Sequence, residues 1–315
     1  HSLQTWAISH KGTLLSLFVL SICLGCSIVL QGYSIVQIVN VVFIEKEAFS
    51  STLRFLYVLF FAILLRLFTQ FSMNRIGGTL AERVKISVRQ TLLQHWTQNA
   101  MEAQMTTQTG EKVTLLIDTV DQLESYYREY IPQIIKTTVV PLIILIAVFI
   151  THTPSGWIML VTVPFIPITY IIIGMQTQKK SEEQLVAMNR FSGKFLDLLQ
   201  GLQTIRLFGQ SEKQEEVLAA SNKGFMERTL SVLKIAFAST LFIEFITTLG
   251  VGLVALEIGF KMIVFKSLAF APAFFVLTMA PEFYNSLKEL GAAFHTGRGS
   301  LGAVAVIEEA LQTTM

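Results

Sequence analysis

Two stretches without a single Asp, Glu, Lys or Arg constrain this chain more than anything else in it. Gly12 to Ile44 runs 33 residues and Thr137 to Gln178 runs 42. Roughly 20 apolar residues carry a helix across a hydrocarbon core, so the first stretch holds one crossing and the second holds two. The second is broken once, at Thr151-His152-Thr153-Pro154-Ser155-Gly156, where proline and glycine mark a turn. The rest of the chain cannot clothe a water-facing fold. Only 15% of the 315 residues are charged and 52% are hydrophobic, whereas a soluble domain carries roughly 25% charged residues. A soluble enzyme, a disordered chain and a disulfide-stapled secreted module are excluded on these grounds. A net charge of +2 gives no reason to expect a nucleic-acid partner. The reading is an all-α polytopic membrane protein whose first partner is the lipid bilayer.

The same counting predicts six spans, at about 13–44, 53–76, 130–151, 156–178, 233–258 and 264–292. The first is too long, and too plain at its end, for a cleavable signal peptide. Seven basic residues separate spans two and three, and nine separate spans four and five. The opposite side has Lys46, Arg54, Lys261 and Lys266, and Arg66 falls inside a span. The positive-inside rule therefore predicts that both termini face the cytoplasm.

The two cytoplasmic connections, 75–130 and 179–234, are equal at 56 residues. Neither reads as loop. Apolar residues recur at helical spacing around Leu80, Val84 and Val88, and again at Leu185, Met188, Phe191, Phe195 and Leu198. A helical hairpin with about 28 residues each way reaches roughly 40 Å at 1.5 Å per residue. The expectation is two long rods, each turning at a glycine-containing tip near 101–110 and 204–212.

At these tips the sequence resembles the transmembrane domain of an ABC exporter. Thr109-Gly110-Glu111, then Asp118, Tyr126-Tyr127 and Ile131-Pro132, look like that family's first intracellular loop. Gly201-Leu202-Gln203-Thr204-Ile205-Arg206-Leu207-Phe208-Gly209 looks like its second. The resemblance implies a six-helix, type IV (exporter-type) membrane domain with long cytoplasmic helix extensions. It also implies that Met101, Gly110, Glu111, Thr204, Arg206, Phe208, Gly209 and Glu212 couple to nucleotide-binding domains. A narrower likeness rests on Pro164-Phe165-Ile166-Pro167, Phe191-Ser192-Gly193-Lys194-Phe195-Leu196-Asp197, Phe242-Ile243-Glu244-Phe245 and Ala280-Pro281-Glu282-Phe283-Tyr284. Leu290-Gly291-Ala292-Ala293-Phe294-His295 continues it. These are similar to the CydDC-type thiol-reductant exporters, on the CydD side of a heterodimer with a CydC-like sister half. That subfamily implies ATP-driven export of cysteine or glutathione from the bacterial cytoplasm, supporting cytochrome bd assembly. The chain departs from it at Ser286-Leu287-Lys288, where the subfamily has Pro-Leu-Arg. A proline kink and an arginine fork are both replaced there.

No Gly-x-x-x-x-Gly-Lys-Ser/Thr occurs, because Gly193-Lys194 is followed by Phe195 and has no upstream glycine at the required spacing. The expectation is that ATP and Mg belong to a nucleotide-binding domain outside these 315 residues, and that this chain alone is no enzyme.

Ionisable residues inside a bilayer are costly and are functional candidates by default. Arg66 lies mid-span, with two readings open: substrate contact, or a structural partner for Glu244 or another interior acid. Glu244 itself sits in an otherwise apolar stretch. In the last span Tyr284, Lys288, His295 and Arg298 fall broadly on one helix face, with Glu282, Asn285 and Glu289 as a neighbouring stripe. Lys288 has two readings as well, attraction of substrate carboxylates or a head already at the interface. Cys23 and Cys26 share a face of an apolar helix and read as packing residues. No histidine or cysteine spacing predicts a metal site, and haem binding is suggested by the subfamily alone. Rival readings are a lipid or drug exporter half, and a non-transporting haem-binding or oxidase-assembly protein.

Overall fold

The computed structural model describes residues 11–46, 49–98, 113 and 115–312, and the described residues are helical apart from short turns. Water is absent from the core of a bilayer, so each backbone N–H must be paired within its own segment, and helices do this. In chain order the helices are α1 Lys11–Val39, α2 Phe49–Gln98, α3 Ile131–Thr151, α4 Thr153–Thr162, α5 Phe165–Gln200, α6 Leu202–Leu207, α7 Ser211–Gly259 and α8 Phe270–Gln312. Wider π-helical turns occur at Asn40–Ile44, Leu115–Thr119, Tyr126–Tyr130 and Phe260–Val264.

Five stretches among the described residues are long and apolar enough to cross a membrane: Lys11–Ile44, Ser50–Gln98, Tyr126–Thr151, Thr153–Ile173 and Ser211–Val264. The sixth expected span forms helix α8 but stays outside that set. Glu282, Asn285, Lys288 and Glu289 make its second half too polar. A further difference concerns the fourth span, expected as one helix over 156–178. Pro164 has no N–H to continue the ladder, and α4 ends at Thr162 before α5 begins at Phe165.

The chain divides into two compact units, His1–Val163 with Leu249–Met315, and Pro164–Thr248. In the first, α1 packs along α2 and α3, and α8 packs along α3 and α1. Helix α2 shows how the sequence sorts its faces. Tyr57, Phe60, Phe61, Leu64, Phe68 and Phe71 are exposed, while Ala62, Thr69 and Met73 are buried. Apolar surface gains nothing by leaving lipid, so aromatic bulk faces outward and small or weakly polar residues face inward. The buried hydroxyls of Ser21, Ser27 and Ser34 on α1 donate to the carbonyls of Leu17, Leu24 and Leu30 at 2.7–2.8 Å.

Beyond the apolar stretch α2 continues without interruption, and its Leu80, Val84, Val88 and Leu92 row enters a second core. Leu115, Val120, Leu123 and Tyr127 return against it, and Ala303, Val304 and Ile307 of α8 close it. Gly77 permits the approach, since a Cβ there would lie 2.6 Å from the Arg128 carbonyl oxygen. The second unit holds α5, α6 and most of α7. Phe191 stacks on Phe225 with centroids 6.0 Å apart, and Gln184 Nε2 donates to Thr229 Oγ1 at 3.1 Å.

Candidate functional site

Arg66 lies on the inward side of α2, one turn from Ala62 and beside Thr69. Its guanidinium forks onto Glu282 of α8, Nη1 to Oε1 at 3.0 Å and Nη2 to Oε2 at 3.1 Å. Nη1 also donates to Gln31 Oε1 of α1 at 3.0 Å. One cation thus ties three helices. The side chains retain 27% and 34% exposure, so the pair borders open space and is not sealed in the packing. The acid beside Arg66 is therefore Glu282, where the sequence suggested Glu244 first. Glu244 belongs to the second unit, on an exposed face of α7. Sequence periodicity places charges on faces but does not say which helices become neighbours.

A second tie lies two turns further along α8. Glu289 accepts from Lys136 Nζ at 2.6 Å and from Gln133 Nε2 at 3.0 Å, both on α3. Seven residues bring Glu282 and Glu289 back to nearly the same side of α8, about 10 Å apart along its axis. Tyr284 is not on that side. It is 1% exposed, its hydroxyl lies 2.6 Å from Thr162 Oγ1, and its ring packs on Gly250 where a Cβ would meet it at 2.5 Å. Its place is in the packing, and it parts company with Lys288, which is half-buried. Asn285 is exposed beside Glu282 and Glu289, as the stripe predicted. The side chain of His295 lies outside the described residues, although its backbone is part of α8. Ser286, standing where the subfamily has proline, continues the helix. Its hydroxyl is buried without a hydrogen-bond partner among the described residues.

A third polar group closes the opposite end of the first unit. His152, in the turn before α4, has Nδ1 2.9 Å from Ser155 Oγ, and that hydroxyl donates to Glu257 Oε2 of α7 at 2.8 Å. Lys261 Nζ stands 3.7 Å from Glu257 Oε1. Burial pulls the His152 imidazole below its ordinary range, against the attraction of Glu257. Sequence reading placed His152 in a turn and missed the group, because its members come from two separate segments.

Where α2 extends beyond its apolar stretch, Lys85 donates to Glu124 at 2.7 Å and Asp121 at 3.1 Å, and Arg89 donates to Asp121 at 2.9 Å. Arg128 reaches Glu124 at 2.8 Å. The hydrogen bond from Lys85, followed by that from Arg128, holds the Glu124 carboxyl below the usual range. Asp118 lies in the π-helical turn Leu115–Thr119. Of the residues that the resemblance implies for coupling, Met101, Gly110 and Glu111 lie outside the described residues. Thr204 and Arg206 form part of α6, and Phe208 follows it, 74% exposed. Gly209 then turns at φ +64°, a conformation that suits glycine, before Glu212 opens α7. Cys23 and Cys26 are free thiols, and no group of three or more His, Cys, Asp or Glu among the described residues is placed to hold a metal.

Gln31, Gln133 and Lys136 were not singled out from the sequence. The signal for Gln31 was there, an amide in an otherwise charge-free span. Lys136 looked like one more basic flank.

Comparison with known proteins agrees with this architecture. A family model described as ABC transporter transmembrane region matches residues 14–286. The glutathione/L-cysteine transport system ATP-binding/permease protein CydD of Escherichia coli (strain K12) is 28% identical over 92% of this chain and 51% of its own length. CydD of Haemophilus influenzae is 34% identical over 65% of this chain and 36% of its own. The CydC protein of that system in Bacillus subtilis is 30% identical over 64% of this chain and 36% of its own. The chain spans about half the length, or less, of these relatives.

Proposed function

The chain belongs to the ABC transporter transmembrane family, and on that premise we propose that it is the membrane half of an ATP-driven exporter subunit. The cargo is a cysteine- or glutathione-type thiol leaving the bacterial cytoplasm, in support of cytochrome bd assembly. It works beside a CydC-like sister half and a nucleotide-binding domain of its own. The Arg66–Glu282 fork carries this reading. A charge pair kept half-open inside an apolar bundle is costly and marks a polar path. The relatives' names point to the same substrate class.

ATP has no seat here, since no phosphate-cradling loop occurs in the sequence. The chain's own part is mechanical. Short helix α6 at its glycine-flanked tip presents Leu207 and Phe208 to a partner surface, and α5 and α7 carry its displacement as rigid rods. The ion pairs of α8 with α2 and α3 give the bundle discrete arrangements that nucleotide binding can bias. The test is uptake of labelled cysteine and glutathione into inverted membrane vesicles holding the full transporter. ATP-dependent accumulation is the expected outcome. Uptake of lipid or drug in its place would assign the chain to another exporter class.

A further inference from the structure

A cavity of about 680 Å³ opens in the first unit, beside the Glu289–Lys136 tie. It falls within the roughly 300–1,000 Å³ of small-molecule sites. Its charged lining is balanced, Arg128 and Lys136 against Glu129 and Glu289. Gln70 and Asn74 add amides one and two turns along the α2 row that begins at Arg66. Neither amide, nor Glu129, forms a side-chain hydrogen bond among the described residues, so all three can meet a ligand. Leu24, Met73 and Pro132 supply an apolar wall. Neither cysteine of the chain lines the cavity.

We propose that this cavity recognises the free α-amino-acid head group, an ammonium and a carboxylate on one small molecule, and does not read the thiol. The reason lies in the pair already present. Lys136 and Glu289 neutralise each other at 2.6 Å. An anion that took Lys136 would strand Glu289, and a cation that took Glu289 would strand Lys136. A charge left without its partner is unfavourable, most of all at Lys136, whose side chain is 18% exposed against 52% for Glu289. A zwitterion exchanges one ion pair for two and strands nothing. Its carboxylate takes Lys136, with Arg128 in reach, and its ammonium takes Glu289, with Glu129 in reach. The exchange also breaks the ion pair between α8 and α3, one of several contacts that hold those helices together.

This inference rests on the export reading for its place in transport, and its test separates the two. Uptake of labelled L-cysteine by the full transporter in inverted vesicles is challenged with three analogues. S-methyl-L-cysteine keeps the zwitterion and loses the thiol, N-acetyl-L-cysteine loses the ammonium, and L-cysteine ethyl ester loses the carboxylate. The S-methyl compound should compete as well as cysteine, and the other two about tenfold or more weakly, as expected when a charge-assisted contact is lost. Lys136→Gln and Glu289→Gln should each raise KM by about tenfold, with Glu129→Gln as a milder change that leaves the helix tie intact. Retention of labelled cysteine on the purified transporter is measured in parallel. If the wild type retains cysteine with this analogue pattern yet transports none, the site stands and the export reading falls. If it transports thiols while the acetyl and ester compounds compete equally, the site falls and export stands. Failure of S-methyl-L-cysteine to compete, or an unchanged KM in both pair variants, overturns the proposal.

Discussion

Arg66 is held inside an apolar helix because two neighbours share its cost: a bidentate carboxylate from Glu282 and an amide oxygen from Gln31. Breaking a fully buried pair costs about 3–5 kcal/mol, and the partial exposure here brings the expected cost of Arg66→Ala or Glu282→Ala down to about 1–3 kcal/mol. The double variant should recover much of that loss, since neither charge is then stranded. Arg66→Lys should not restore stability, because an ammonium cannot fill two parallel bonds. Thermal unfolding of the purified protein in lipid nanodiscs checks all four. Equal and additive losses in the two single variants would show that the pair is not coupled. Arg66 was legible in the sequence as a charge within a span. Its partner was not, because Glu244 or any other interior acid is eligible until helix neighbours are known.

The helix extensions beyond the apolar stretches depend on different chemistry from the spans. α2 and the returning arm share an apolar row, and outside it Lys85, Arg89 and Arg128 gather Asp121 and Glu124. The Glu124 carboxyl is depressed by its hydrogen bonds, from Lys85 first. A depressed carboxylate contributes stability that is present above its unfolded value near 4.3 and is lost as pH falls through the folded value. Hydrogen exchange of 115–127 should therefore be protected at neutral pH and accelerate as the solution is taken below about pH 4. Glu124→Gln should show that acceleration already at neutral pH. At the other tip, Gly209→Val forces a β-branched residue into a positive φ. ATPase activity should then persist while transport falls, with the spans intact by circular dichroism. The rods were legible from period and length. The break before α5 was not expected from the same window, although Pro164 was visible in it. A charge-free length marks a span without saying where a proline interrupts its hydrogen-bond ladder.

At the scale of the molecule, the stretches 75–130 and 179–234 hold most of the basic residues, and the positive-inside rule predicts that Lys46, Arg54, Lys261 and Lys266 face the other side of the membrane. With Cys23 and Cys26 replaced by alanine, a cysteine at the exposed Lys266 should react with an impermeant maleimide on intact cells. A cysteine at the exposed Lys213 should react only after permeabilisation. The reverse pattern would invert the orientation. The second unit begins at Pro164, where the helix ladder is interrupted, and ends at Thr248 within the continuous helix α7.

The sequence by itself determined that this chain is helical and belongs in a bilayer. Runs of 33 and 42 residues without charge leave no alternative to crossing. It also marked Arg66 and the polar stripe of the last helix, because a charge is conspicuous where charges are rare. Only the tertiary structure decided what these residues meet. Arg66 found Glu282, Glu289 found Lys136, and Tyr284 turned into the packing against Gly250. The physical reason is that hydrophobicity sets the environment of each residue separately and is written locally. An ion pair or a cavity depends on which helices pack side by side, and that is settled by the fit of many small faces at once.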